Sequence, residues 1–232
     1  MHTAAQCAPG NAEPMQLSVI IDSLPYLFQA SIATFCYTLG GIVVGAALAI
    51  LVCASRLARS AFLQRAAVVY VSFCRGVPLL VMLMLIFYLL PLIGIFVPTS
   101  VSAVLALGLC TSGYLAEMLR GSLLAIPRGQ VEAAEAFGMS GLEIWRRILL
   151  PLGIRGCLPQ VIGEFIALMK ASSLISVIGI SELTRVSMNI AANTYRPLEA
   201  YIGAGIFYLA INLCLAGCGT LAERHLGRGL AA

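Results

Sequence analysis

Long runs without charge dominate the chain and predict helices that cross a lipid bilayer. Residues 30–54 carry no charged side chain, and residues 76–116 carry none over 41 positions. An α-helix rises about 1.5 Å per residue, so the second run is far too long for one crossing of a hydrocarbon core about 30 Å thick. Pro91 and the next proline divide that run, which predicts two spans near residues 72–90 and 101–119.

Two further apolar stretches complete a set of five spans. Residues 157–179 are interrupted only by Glu164 and Lys170, and residues 200–222 carry no charge. An odd number of crossings places the two termini on opposite sides of the membrane. The pattern therefore predicts an all-α, polytopic membrane helical bundle with about five transmembrane helices.

Arginine placement indicates which side of the membrane is cytoplasmic. The connections after the first and third spans and the C-terminal segment together hold ten arginines, whereas the opposite connections hold only Arg185 and Arg196. Cytoplasmic loops carry an excess of Lys and Arg, so we expect the N-terminus outside and the C-terminus in the cytoplasm.

This topology divides the chain into three parts. The first is an external, interfacial segment in which Met15, just before an amphipathic stretch, is an alternative translation start. A transmembrane domain with a cytoplasmic coupling segment follows, and then a cytoplasmic tail. Their bounds are 1–23, 24–225 with the coupling segment at 120–151, and 226–232.

Composition agrees with lipid as the solvent for most of the chain. Of the 232 residues, 60% are hydrophobic and 10% charged, against about 45–50% and 25% in soluble domains. Disordered chains show the opposite balance. The basic residues are scattered, which excludes a basic nucleic-acid-binding surface. The eight cysteines lie mostly in apolar runs and do not form the pattern of a secreted disulfide framework.

The coupling segment is the only sizeable polar stretch, and its pattern predicts a short helix–turn–helix on the cytoplasmic face. Glu132 and Glu135 are expected in the first turns of its first helix, where the helix dipole favours acidic side chains. Gly138 suits the left-handed conformation that ends a helix. Alanines on the first helix leave it narrow, so that another protein can approach it closely.

The second helix of this segment has a start signal and a stop signal. Ser140 and Glu143 have the spacing of a capping box. Pro151 marks the end of the helix or a kink in it. On shape alone, the segment is either a docking element for a partner or an ordinary loop packed on its own bundle.

The motifs in this region resemble those of one protein family. Glu132-Ala133-Ala134, then Gly138 after three residues and Ile-Leu-Leu-Pro at 148–151 after nine more, resembles the EAA motif of ABC-importer permeases. Other motifs resemble the polar amino-acid branch of these permeases, the histidine-, arginine- and glutamine-type importers. The resemblance covers about residues 24–225. The motifs that carry the narrower resemblance are Arg75–Leu80, Tyr114–Gly121 and Gly129–Ala134.

The resemblance implies a type I importer fold and a permease subunit in the bacterial inner membrane. It implies a second permease subunit, identical or related, a pair of ABC ATPase subunits that bind ATP and Mg²⁺, and a periplasmic amino-acid-binding protein. We expect no cofactor on this chain, which has no P-loop pattern. The resemblance also implies which residues contact the ATPase, namely those at the matching positions of the EAA motif and beside it. They are Glu132, Ala133, Ala134, Gly138 and Gln130.

Ionisable residues in predicted spans are candidates for substrate contact, because they are costly in lipid and usually face the bundle interior or a water-filled cavity. Glu164 has two interpretations: an acceptor for the ammonium or basic group of a substrate, or a structural partner of an arginine or the backbone. Lys170 is interpreted as a partner of the substrate carboxylate or as a side chain that snorkels outward. The candidate substrate-binding residues are Glu164, Lys170 and Ser172.

Two neighbouring positions depart from the resemblance. Gly163 and Ala171 stand where related permeases commonly carry Asn and Asp. We therefore expect this subunit to contribute less polarity to the substrate site, as in a heteromeric pair or with a different substrate.

Other features are interpreted as structural. Glu117 and Arg120 have the i,i+3 spacing of an ion pair at the cytoplasmic end of the third span. Arg75, at the start of the second span, is expected to anchor its helix to a carbonyl or a headgroup. Gly41 and Gly45 form a small-residue packing face in the first span.

Three other functions compete with amino-acid import. An intramembrane enzyme needs a nucleophile–base or metal constellation, and the sequence predicts neither, since Asp22 is the only aspartate. An ATPase-independent channel does not need the EAA pattern. An ABC permease for another small solute, such as methionine or an amino-acid derivative, stays open because the sequence does not map the lining of the pathway.

Overall fold

Helices form all of the regular structure in the described part of the chain, residues 16–227. The alternative start at Met15 and residues 228–232 of the predicted tail lie outside it. In chain order the elements are α1 (Leu17–Arg56), α2 (Ala61–Gly76), α3 (Leu79–Leu92), α4 (Thr99–Leu124), α5 (Arg128–Ala136), α6 (Gly141–Ile144), a π-helical turn (Trp145–Leu149), α7 (Leu150–Ala171), a 3₁₀ segment (Ser172–Ile178), α8 (Leu183–Thr194) and α9 (Pro197–Gly227).

The number of spans agrees with the sequence prediction. Four helical stretches are long and apolar enough to cross a bilayer: α1, α4, the stretch Gly141–Ile178, and α9. The pair α2 and α3 satisfies the same criterion only when taken together. Val71 of α2 packs near Leu115 of α4 and Leu83 of α3 packs near Ala103, so both helices of the pair pack against α4, and counted together they make the fifth candidate span.

The span predicted near residues 72–90 is not one straight helix, because the chain breaks at Val77–Pro78, near the start of that range. α2 and α3 are bent by 107° relative to each other. Val77 has φ −91° and ψ 127°, the extended conformation that a following proline favours. Pro78 then precedes the first turn of α3, where its missing N–H costs nothing.

The seam between α1 and α4 is the most extensive helix contact in the described chain. Gly41 and Gly45, the predicted small-residue face, lie against Leu107 and Thr111. A β-carbon on Gly41 would approach Leu107 Cβ to 2.6 Å, and one on Gly45 would collide with the Thr111 side chain. Gly108 of α4 faces α1 just as closely. These glycines let the two backbones approach each other, and Thr111 is thereby placed deep in the bundle.

The coupling segment folds as a helix–turn–helix, but its first helix begins earlier than predicted. α5 starts at Arg128, directly after Pro127, so Glu132 and Glu135 do not lie in its first turn. The expected stabilisation of these two carboxylates by the N-terminal dipole is therefore wrong. The capping box between Ser140 and Glu143 forms as predicted.

The helix that begins at Gly141 does not end at Pro151 but continues into the membrane. Trp145–Leu149 form a wider π-helical turn, and Pro151 lies in the first turn of α7. In a regular α-helix a proline removes one hydrogen bond and clashes with the preceding turn, whereas a π turn leaves room for the ring. The second cytoplasmic helix and the fourth span, predicted separately, are thus one continuous stretch.

The sequence analysis did not predict α8, which lies in the external connection before the last span. Glu182 caps its N-terminus by accepting hydrogen bonds from the N–H groups of Thr184 (2.9 Å) and Arg185 (2.7 Å). Tyr208 of α9 donates to the same carboxylate at 3.0 Å. Burial raises the pKa of the Glu182 carboxyl above its ordinary value, although these hydrogen bonds act in the opposite direction. Thr34 of α1 accepts a hydrogen bond from the adjacent backbone, so α8 is held to both helices.

Replacing Gly45 by alanine is expected to lower the free energy of unfolding by about 1–3 kcal/mol, the usual cost of overpacking. The new β-carbon would collide with Thr111 and lie 3.0 Å from the Gly108 carbonyl oxygen. Gly205→Ala in α9 is the matched control, since a β-carbon there meets no atom within 4 Å. The measurement is denaturant unfolding of the purified protein in detergent, and equal stability of the two variants would contradict the close α1–α4 seam.

Candidate functional site

Four of the five predicted coupling residues are exposed, and only Ala134 is buried. Glu132 and Ala133 are exposed on the helix, and Gly138 is exposed in the turn after it. Gly138 has a φ of 74°, a left-handed conformation that glycine adopts without strain. A β-carbon at this position would meet no atom within 4 Å, so backbone conformation rather than lack of space favours glycine.

Ala134 is buried, whereas Gln130 is exposed but borders a cleft. Ala134 is 4% exposed, and its carbonyl oxygen accepts a hydrogen bond from the Met139 N–H at 3.2 Å, which helps to close the turn. Gln130 lines a cleft of about 340 Å³ between α4, α5 and α7, together with Ser122 and Gln160. Gln130 therefore connects the coupling segment to the cytoplasmic end of the bundle.

Two apolar side chains beside α5 were missed by the sequence analysis. Phe137 is 88% exposed and Leu142 is 65% exposed. Trp145, by contrast, packs against a buried cluster that contains Leu119 and Leu123 of α4, and so anchors the base of the segment. An exposed aromatic side chain on an anchored support is typical of a protein–protein contact. The apolar pattern alone does not separate Phe137 from a core residue.

Glu117 joins α1 to α4 at the cytoplasmic end of the bundle. Its Oε1 accepts a hydrogen bond from Arg56 Nε at 3.1 Å, and its Oε2 accepts two from Arg120, at 2.9 and 2.7 Å. The structure thus places Glu117 and Arg120 in the predicted i,i+3 pair. Arg56 is a third member that sequence spacing does not reveal, because it lies on another helix. This network fixes the end of α4 from which the coupling segment departs.

Glu164 lies half-buried between α7 and α4. Thr111, fully buried in the α1–α4 seam, donates a hydrogen bond from Oγ1 to Glu164 Oε1 at 2.8 Å. No described arginine forms an ion pair with Glu164, and no described group donates a hydrogen bond to its Oε2. One carboxylate oxygen is therefore positioned by the protein, and the other can accept a hydrogen bond from a ligand.

The two other candidates for substrate contact differ in accessibility. Lys170 is exposed near the end of α7. Ser172 is fully buried, and its hydroxyl donates to the Met169 carbonyl oxygen at 2.8 Å. The structure thus leaves Glu164 and Lys170 accessible on one helix, while Ser172 packs in the core.

In the described chain, the guanidinium of Arg75 donates no hydrogen bond to a carbonyl or other acceptor. Arg75 lies at the end of α2 with its guanidinium carbon 5.3 Å from the centroid of the Tyr114 ring. The hydrogen bond between these residues runs in the other direction, from the Tyr114 hydroxyl to the Arg75 carbonyl oxygen at 3.5 Å. This cation–π contact is the interaction that holds the guanidinium.

Comparison with a family profile places this architecture among known proteins. The profile described as "Binding-protein-dependent transport system inner membrane component" matches residues 41–228, which is most of the chain. The match includes the coupling segment and the spans that carry Arg75, Glu164 and Lys170.

Individual proteins are similar over nearly the whole chain. A nopaline transport system permease of Agrobacterium fabrum is 35% identical over 90% of this chain and 91% of its own. A glutamine transport system permease of Escherichia coli strain K12 is 32% identical, with 86% and 92% coverage. The crystal structure of an amino acid ABC transporter with histidines matches with a TM-score of 0.82 and 30% identity, over 91% of this chain and 99% of that one.

Replacing Glu117 by glutamine is expected to lower the free energy of unfolding by about 1–3 kcal/mol, the range for lost hydrogen bonds to charged groups. The change removes the charge that two arginines share while keeping the side-chain shape. Glu143→Gln is the matched control, because its ion pair with Arg147 is exposed and worth about 0–1 kcal/mol. Unfolding in detergent measures both variants, and a smaller effect at Glu117 than at Glu143 would contradict the network.

Proposed function

The chain belongs to the family of binding-protein-dependent transport system inner membrane components, and we propose that its substrate is a polar amino acid. Permeases of this family are membrane subunits of transport systems, not catalysts, and they work with ATPase and binding-protein partners. The observation that supports the substrate class is the likeness, over nearly the full chain, to an amino acid ABC transporter solved with histidines.

A second substrate class has support of its own. One of the most similar relatives is a nopaline permease, and nopaline is an amino-acid derivative. The departures at Gly163 and Ala171 from the commoner Asn and Asp agree with a different or larger substrate. Both classes share a carboxylate and a nitrogen that carries a positive charge, so the same charged groups in the pathway serve either one.

The proposed complex has two permease subunits, identical or related, around one pathway. Two ATPase subunits in the cytoplasm bind ATP and Mg²⁺, and a binding protein delivers the substrate on the external side. Hydrolysis of ATP drives the permease pair between outward- and inward-facing states, which differ in their affinity for the ATPase conformations.

α5 is proposed to dock on the ATPase subunit through its exposed face. Glu132, Ala133 and Gly138 are exposed there, and Phe137 supplies a large apolar anchor beside them. Ala134 supports the turn from behind, and Gln130 connects the helix to the cleft above it. Docking energy at protein interfaces is concentrated in buried aromatic anchors, so Phe137 is the residue we add to the set predicted from sequence.

Glu164 is proposed to accept the ammonium or basic group of the substrate. Thr111 fixes one oxygen of the carboxylate, and the other oxygen has no donor among the described residues. Lys170, exposed on the same helix, is proposed to attract the substrate's carboxylate. Ionisable side chains in spans commonly mark such substrate pathways.

The Glu164→Gln variant is expected to raise the KM for substrate by about tenfold or more, since a hydrogen bond to a charged group is lost. The measurement is uptake by proteoliposomes that hold the permease pair, the ATPase and the binding protein, with a panel of amino acids and nopaline. Assembly with the ATPase should be unchanged, and Asp22→Asn, at an exposed carboxylate outside the coupling segment, serves as the control. Unchanged uptake kinetics in Glu164→Gln would overturn the proposed role, and a wild-type complex that no panel member stimulates would overturn the substrate class.

The Gly138→Ala variant is expected to weaken ATPase binding. An alanine in the left-handed region costs about 1–2 kcal/mol, which corresponds to about a 5- to 30-fold loss of affinity if docking requires the turn. Gly129→Ala is the matched control: Gly129 lies in α5, the helix that precedes the turn, its φ is not in the left-handed region, and its β-carbon would also meet no atom within 4 Å. Co-purification and titration of the ATPase subunit measure the affinity, and equal affinities for the two variants would contradict the docking of this turn.

A further inference from the structure

Arg75 lies beside the middle of α4, a membrane-spanning helix. Its Cγ would be 3.4 Å from a β-carbon placed on Gly113 of α4. α4 spans 26 residues, Thr99–Leu124, and at 1.5 Å per residue Gly113 is about 2 Å from the middle of that helix. The sequence analysis placed this arginine at the start of a span, whereas in the structure it lies beside the middle of α4.

The side chain at this position has no acidic partner in the described chain. None of the ion pairs there includes Arg75, and its guanidinium contacts only the face of the Tyr114 ring. An arginine in hydrocarbon is costly, so intramembrane arginines face the bundle interior or a water-filled cavity and bind an anionic or polar group. The residue is exposed in the isolated chain, and its environment therefore has room for a ligand.

The backbone beside Arg75 adds to the positive potential. α3 begins immediately after the break, and the N–H groups of Leu79, Leu80 and Val81 donate to no described acceptor, whereas that of Met82 bonds to Pro78. Non-helical backbone at membrane depth is tolerated where it borders protein or a cavity. The free N–H groups at the start of a half-helix favour an anion, but it is the guanidinium that makes the position specific.

Glu164 occupies the same face of α4 as Arg75. Thr111, which binds Glu164, and Tyr114, which carries Arg75, are three residues apart and so are neighbours on the helix surface. Tyr70 also holds α2 against α4 by a hydrogen bond of 2.7 Å to Ser112, which fixes the position of α2 near this face. The two positions of α4 that contact Glu164 and Arg75 thus lie one helical turn apart, near the middle of that helix.

We propose that Arg75, together with the start of α3, binds the carboxylate of the transported substrate while Glu164 binds its cationic nitrogen. This inference rests on the proposed function and deepens it, since it assigns the carboxylate to the broken span rather than to Lys170. The ligand class is a zwitterion with a carboxylate, which includes amino acids and their carboxylated derivatives. Lipid phosphate and a carboxylate of the second subunit are the competing partners of Arg75.

The face shared with Glu164 favours the substrate over lipid. The guanidinium of this arginine lies over the Tyr114 ring, one turn of α4 from the threonine that binds the Glu164 carboxylate. A zwitterion satisfies both charges of the face at once, which a lipid phosphate does not.

The test measures discrimination between a carboxylate and a neutral amide. The complex of permease and ATPase is placed in lipid nanodiscs without the binding protein, so that only the membrane site selects. The probes are L-histidine, L-arginine and L-glutamine, each compared with its α-carboxamide by calorimetric titration. The variants are Arg75→Gln and Arg75→Lys, with Arg59→Gln in the exposed cytoplasmic turn as the matched control.

The wild-type complex and Arg59→Gln are expected to prefer the carboxylate over the carboxamide by about 10- to 100-fold, the range for one charge-assisted hydrogen-bonded contact. In Arg75→Gln the preference should fall below about threefold, because the carboxylate loses its ion pair with the protein whereas the carboxamide has no ion pair to lose. Arg75→Lys keeps the charge but not the planar guanidinium, so its preference should be intermediate. A merely structural role would weaken both ligands alike and leave their ratio unchanged.

Three results overturn the proposal. A wild-type complex that binds the amide as tightly as the acid has no carboxylate site, and this holds even if Arg75→Gln does not assemble. If the ratio of carboxylate affinity to carboxamide affinity is unchanged in Arg75→Gln, then Arg75 contacts lipid or the second subunit instead of the substrate. The proposed function would stand in that case, whether or not the variant assembles less well. If the wild-type complex binds neither the three amino acids nor nopaline, the proposed function fails and this inference fails with it.

Discussion

The seam between α1 and α4 is the contact on which the rest of the bundle depends. Lipid offers no hydrophobic gain for helix association, so close backbone approach and internal polar contacts must hold the helices together. Gly41 and Gly45 remove the side chains that would keep α1 and α4 apart. The same approach buries Thr111, whose hydroxyl then has a carboxylate of α7 as its partner. Packing and the polar site are therefore built by the same residues.

The helical irregularities lie at the positions that we associate with function. The π-helical turn at Trp145–Leu149 joins the coupling segment to α7 without a flexible loop, so movement of α6 is transmitted directly to the helix that carries Glu164. The break at Val77–Pro78 places the free N–H groups at the start of α3 directly after the end of α2, which carries Arg75. Irregular backbone in a membrane is costly unless it lines protein or a cavity, which supports a role for these segments in the pathway.

Local patterns predicted what depends on neighbouring residues in the chain. The number of spans, the capping box of Ser140 and Glu143 and the left-handed Gly138 follow from hydropathy, spacing and backbone preference, and the structure contains all three. The bend at Pro78 was not predicted, because an uncharged run has the same hydropathy whether it is straight or broken. The contacts of Glu164 with Thr111 and of Glu117 with Arg56 join different helices, and no local pattern encodes them.

α4 connects the coupling region to the charged face in the membrane. Its cytoplasmic end is held by Glu117, its base supports Trp145, and its middle carries Thr111 and Tyr114. All of these contacts lie on one uninterrupted helix, so a tilt of α4 moves the groups at both ends together. α2 is held against the same helix by the hydrogen bond between Tyr70 and Ser112, and the bend of 107° lies beyond Arg75, between α2 and α3. The contacts proposed for Arg75 and Glu164 thus both depend on the middle of α4, Arg75 through Tyr114 and Glu164 through Thr111, so the spacing of the two charges is set by one helix.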